Sequence, residues 1–82
     1  MNWIKTSKKL PDVEPADGFG EYYESSLKLV AFRHNDKIFY EVAKYTKGRD
    51  TTEGEFWESW YVPQAEDVVV GVIAWMDFPF FT

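Results

Sequence analysis

Few residues of this chain have the type and spacing for covalent or proton-transfer chemistry. His34 is the sole histidine, and it stands beside Asn35-Asp36, a pair that favours a tight turn. A Ser-His-Asp triad would need a serine and an acid to converge on that exposed tip, and nothing in the spacing brings them there. Carboxylates occur in close pairs, Glu53/Glu55 and Glu66/Asp67. General acid–base work would need a cleft that shifts their pKa values, and a chain this short rarely encloses one. Asp12, Glu14 and Asp17 superficially suggest a calcium loop, but Ala16 and the spacing break the D-x-[DN]-x-[DN]-G pattern. Cysteine is absent, so thiolate zinc sites and disulfides are excluded. Lys47-Gly48-Arg49 is basic, but a single glycine makes a poor phosphate cradle. The residues therefore predict no enzyme, no catalytic residue, no metal and no cofactor.

Two kinds of binding chemistry remain. Aromatic residues make 20% of the 82, and Trp, Tyr and Phe anchor protein interfaces when exposed. They also stack nucleic-acid bases, and Phe32, Phe39, Trp57 and Tyr61 are candidates for an outer face. Charge is blocked along the sequence: +3 over residues 1–10, -5 over 11–27, +4 over 28–49 and -7 over 50–82, for a net -5. A nucleic-acid binder should carry a basic excess, which only the third block offers. That gives an alternative reading, single-stranded nucleic acid bound on a hairpin face with Lys28, Phe32, Arg33, Lys37 and Phe39. The primary reading is a protein partner. Its contact is the acidic arm, through Asp12, Glu14, Asp17, Glu21, Tyr22, Tyr23 and Glu24. The acids would steer the arm toward a basic surface and the tyrosines would anchor it. The plain counterpart is a solvated arm that binds nothing. The apolar C-terminal run, residues 76–82, either packs back on the sheet or supports self-association.

The elements that must position these residues read as β. Residues 26–34 alternate, with Leu27, Leu29 and Ala31 on one side and Lys28, Val30 and Phe32 on the other. Residues 37–45 are β-branched and aromatic. A two-residue turn at Asn35-Asp36 sets Phe32 opposite Phe39, Ala31 opposite Tyr40 and Leu29 opposite Val42. The face with Leu27, Leu29, Ala31, Ile38, Tyr40 and Val42 is expected to be the core side; that with Lys28, Phe32, Phe39 and Glu41 is expected to be half-exposed. Residues 46–54 read as a loop, 55–62 as a third strand stopped by Pro63, and 68–75 as a fourth, central strand with a bulge or close backbone approach at Gly71. Residues 5–10 allow one turn before Pro11. The arm at about 11–25 reads as irregular. The fold expected is mainly β: one domain over 1–82, a small antiparallel sheet of four to five strands curled into a barrel or roll, with little helix. The N-terminus lacks a signal-peptide core, and the longest apolar run, 68–76, is far shorter than the roughly 20 residues of a membrane helix. Neither a membrane nor an export route is expected.

Trp3-Ile4 followed by Leu10-Pro11 at the start, and Trp75-Met76 followed by Pro79 at the end, resemble domain-of-unknown-function family 551, small proteins common in phages and prophages. Members open W-I-x-x-x-x-x-L-P and close on Trp-Met-x-x-Pro. Ala74 departs from the polar residue, often His, that precedes the family's tryptophan, and the arm over 13–25 is longer than the family's. The resemblance implies a small β-barrel-like fold, a phage or prophage origin and hence the cytoplasm of a bacterial host. No catalytic residues are established for the family. The combined expectation is a non-catalytic accessory protein that binds a host or phage protein, for instance as an inhibitor of a host factor with a basic surface.

Overall fold

The computed structural model describes residues 3–16, 21–50 and 52–78. Eight strands make one antiparallel sheet: β1 (Ile4–Lys5), β2 (Glu14–Pro15), β3 (Tyr22–Glu24), β4 (Lys28–His34), β5 (Lys37–Arg49), β6 (Phe56–Val62), β7 (Asp67–Val69) and β8 (Val72–Asp77). The described residues contain no helix. The order runs β1-β8-β4-β5-β3-β2, with β6 on the other side of β5 and β7 beyond β6. The two ends do not pair, so the sheet is not closed into the expected barrel, and its eight strands exceed the expected four to five.

The β4–β5 hairpin forms as its turn chemistry dictates. Asn35 and Asp36 both take positive φ, 51° and 63°, the geometry a type I′ turn needs. Phe32 faces Phe39, Ala31 faces Tyr40 and Leu29 faces Val42. β5 then continues through residues 46–49, where the sequence reads as a loop. Two neighbours hold it: β3 on one side, Tyr22 to Gly48 through Glu24 to Thr46, and β6 on the other, Lys44 to Tyr61 through Arg49 to Phe56. Pairing on both sides outweighs the weak β-propensity of Thr-Lys-Gly-Arg. The loop contracts to residues 50–55, where Asp50 Oδ1 accepts the Thr52 N–H at 2.8 Å.

The arm is likewise more regular than its prolines and glycines suggest. β2 and β3 form a short antiparallel pair, Glu14 opposite Glu24 and Pro15 opposite Tyr23. Ser25 carries the chain from β3 to β4: its buried hydroxyl accepts the Tyr45 N–H at 2.9 Å and donates to Ser26 O at 2.7 Å.

The expected fourth strand is two strands. β7 is an edge on β6, and β8 lies between β1 and β4. Gly71 separates them at φ 77°, and a Cβ there would stand 2.8 Å from Arg33 O. The close approach at Gly71 is real. It places the Arg33 N–H on Gly71 O at 3.0 Å, beside the register shift between Ala31 and Phe32 in the β4–β8 ladder.

The principal core lies on the face opposite to the expected one. Val30 and Ala43 are fully buried, and Tyr45, Trp60, Val62 and Trp75 complete the cluster, with Ile4, Val13, Val69 and Val72 against it. Alternation sets Val30 on the same side as Lys28, and Lys28 is tolerated there because it pairs with Asp77 at 2.7 Å and lies 5.4 Å from the Trp75 ring centroid. On the other face the buried apolar side chains are Ala31 and Met76, with Thr46 and Gly48 buried further along β5; Ile38 and Tyr40 are exposed. Trp3 reaches across the small Ala31 and Ala74 to meet the Tyr40 ring at 5.9 Å. The N-terminal segment packs on the last strand, with Ile4 opposite Trp75, and the Trp75 indole donates to Lys9 O at 2.9 Å.

Candidate functional site

Beyond the core, the doubly paired half of β5 projects a row of polar and aromatic side chains. Period-two alternation puts Tyr45, Lys47 and Arg49 on one face of β5. Register then sets Tyr23 and Glu58 on either side of Lys47, and Phe56 beside Arg49. Val13, Glu21, Tyr23, Lys47, Arg49, Phe56 and Glu58 line an open groove of about 920 Å³, and Tyr45 lies in the core beside it. Phe56 is 83% exposed, and the Arg49 guanidinium lies 5.9 Å from its ring centroid. Trp57 rims the groove and is 42% exposed. Its ring lies against Gly48 so closely that a Cβ there would meet it at 2.6 Å, and Tyr22 flanks it at 5.8 Å between centroids. The missing side chain at Gly48 is therefore what seats Trp57.

The Tyr45 hydroxyl donates to Glu58 Oε2. Burial first, and that hydrogen bond second, push the Tyr45 phenol well above its ordinary range, so it stays protonated. Lys47 and Arg49 put positive charge beside Glu21 and Glu58, so the lining is mixed in sign. Among the described residues no group of three or more His, Asp or Glu could hold a metal ion. His34 sits at the far hairpin tip, against the Asn35 side chain at 3.3 Å.

The arm residues divide. Tyr23 and Glu21 line the groove and Tyr22 buttresses Trp57. Asp12 and Glu14 are exposed, on either side of the groove residue Val13. Glu24 faces away and pairs with Lys44 at 2.6 Å; that hydrogen bond is the main cause holding the Lys44 ammonium above its usual pKa. Asp17 lies outside the described residues. The hairpin set is less united. Phe32 and Phe39 stack at 5.7 Å, but Lys28 is held by Asp77, and alternation turns Arg33 to the opposite face. Phe56 and Arg49 were not among the expected contacts. Their signal was the alternation of Phe56 and Glu58 in an aromatic strand, legible only once 46–49 is known to be its partner strand. No family model, no curated protein and no solved structure matches this chain.

Proposed function

We propose that this chain is a non-catalytic binding protein that captures a protein partner in the groove at the end of β5. The observation that carries the reading is Phe56, a large ring left 83% exposed at the lip of a built concavity, with Arg49 against it. Aromatic residues and arginine dominate the energy of protein contacts, while flanking charges set encounter rate. The exposed Asp12 and Glu14, on either side of the groove residue Val13, suit a partner with a basic surface. A phage or prophage origin and action in the host cytoplasm are part of the proposal. They rest on the resemblance at Trp3, Ile4, Leu10, Pro11, Trp75, Met76 and Pro79.

The test is capture from nuclease-treated bacterial lysate, followed by affinity measurement on the captured protein. Phe56→Ala should weaken that affinity at least tenfold, about 1.4 kcal/mol, chiefly by faster dissociation. Asp12→Asn with Glu14→Gln should slow association instead. A folded Phe56→Ala protein that binds the same partner equally well overturns the groove as the contact. Loss of all capture on nuclease treatment, with a salt-sensitive shift of labelled single strands, would replace the protein partner by nucleic acid.

A further inference from the structure

The distal half of β5 has a neighbour on one side only. It pairs with β4 from Lys37 to Ala43, and β6 joins β5 only from Lys44 onward. A two-residue turn makes His34 and Lys37 the first hydrogen-bonded pair, so Lys37, Phe39, Glu41 and Ala43 turn their amides and carbonyls toward β4. Ile38, Tyr40 and Val42 turn theirs the other way, where no described strand lies. Glu41 Oε1 accepts the Val42 N–H at 3.1 Å and ends that open stretch. Ile38, Phe39 and Tyr40 along it are 39%, 43% and 63% exposed.

A bare apolar edge is a template for one more strand. We propose that this edge takes the same strand of a second copy of the chain, antiparallel, so that the sheet runs on across a two-fold axis. Charge selects this occupant and its register. Pairing requires that outward-turned residues meet outward-turned residues, which leaves axes at Ile38, Phe39 or Tyr40. With the axis at Phe39, Ile38 exchanges both backbone hydrogen bonds with Tyr40 of the partner subunit, and Lys37 stands opposite Glu41 of the partner subunit, at both ends. With the axis at Tyr40, Lys37 would face alanine and Glu41 phenylalanine; at Ile38, Lys37 would face phenylalanine and Glu41 asparagine. Only the Phe39 axis pairs both charges. Within the chain, neither Lys37 nor Glu41 has an ion-pair partner among the described residues. The contact is self-complementary, as a two-fold interface must be.

The experiment is sedimentation of the full chain from about 5 µM to about 1 mM, the range of small, weak interfaces, with amide exchange by NMR on the same samples. The weight-average mass should rise toward twice the monomer's. Exchange at Ile38 and Tyr40 should slow at least tenfold over the same range. Ile38→Pro removes an outward donor without removing a β4 hydrogen bond, and should weaken the dimer at least tenfold while the melting temperature moves little. Lys37→Glu should weaken it about fivefold at low salt, and Lys37→Glu with Glu41→Lys should restore it to within about twofold. The charge variants decide the matter where Ile38→Pro fails to fold. A chain monomeric throughout, a dimer indifferent to Lys37→Glu, or a double variant no better than the single one overturns the proposal.

Discussion

The two halves of β5 hold opposite kinds of residue in opposite surroundings. Residues 37–40, Lys-Ile-Phe-Tyr, have the stronger strand propensity, yet they have one neighbour and lie exposed on both faces. Residues 46–49, Thr-Lys-Gly-Arg, have the weaker, yet they lie between β3 and β6, with Thr46 and Gly48 buried. Thr46 Oγ1 lies 3.1 Å from Ser59 O and 2.8 Å from Ser59 Oγ, so the buried hydroxyl is satisfied. Local composition thus sets where a strand can form, and the number of neighbours sets where it is held.

That contrast can be broken most directly by paired truncations. Trp60→Ala empties the core beneath the doubly paired half and should cost about 3–5 kcal/mol, while Phe39→Ala at the open half should cost roughly 1 kcal/mol. Chemical denaturation of both variants checks it; equal losses would mean that the open half is as firmly held as the closed one. Gly48→Ala sharpens the point. The added methyl must displace the Trp57 ring or the Glu21 carbonyl, which stands 2.9 Å away, so a loss of about 1–3 kcal/mol is expected with altered Trp57 fluorescence.

The smallest effect is in alkali. The phenol of Tyr45 is held above its ordinary pKa of 10.0 in the fold, so above that pH the unfolded chain releases a proton that the folded chain keeps. Lys44 acts in the same direction: its raised pKa gives stability that is full below 10.5 and lost as pH rises through the folded value. Melting temperature should therefore fall on going from pH 9 to about pH 11. Tyr45→Phe should flatten that fall, with Glu24→Gln removing a lesser part.

How much of this was legible in the sequence follows the same division. The β4–β5 register was readable because Asn35-Asp36 fixes it locally. The stop at Val62 and the close approach at Gly71 were readable from proline and glycine. The extent of β5 was not, since Lys47, Gly48 and Arg49 become strand only through partners distant in the chain. The core face is not legible for a related reason: Leu27, Leu29, Ala31, Ile38, Tyr40 and Val42 outnumber Val30, Phe32, Phe39 and Ala43 on the other side, but Trp60 and Trp75 pack on the side of Val30 and Ala43. At the groove, Tyr22, Tyr23 and Glu21 were visible in the arm, whereas Phe56 and Arg49 needed the β5–β6 ladder.

The bond from the Trp75 indole to Lys9 O joins residues 66 apart, while the Asn35-Asp36 turn joins strands that are adjacent in the chain. Closing a loop costs entropy that grows with its length, so these two contacts belong to different moments of folding. The hairpin can form on the microsecond scale by itself. The seam between β1 and β8 waits until most of the chain is gathered, which gives this small domain the slower folding of sheet proteins rich in distant contacts. Until that seam closes, β8 presents its β1-facing edge to solvent.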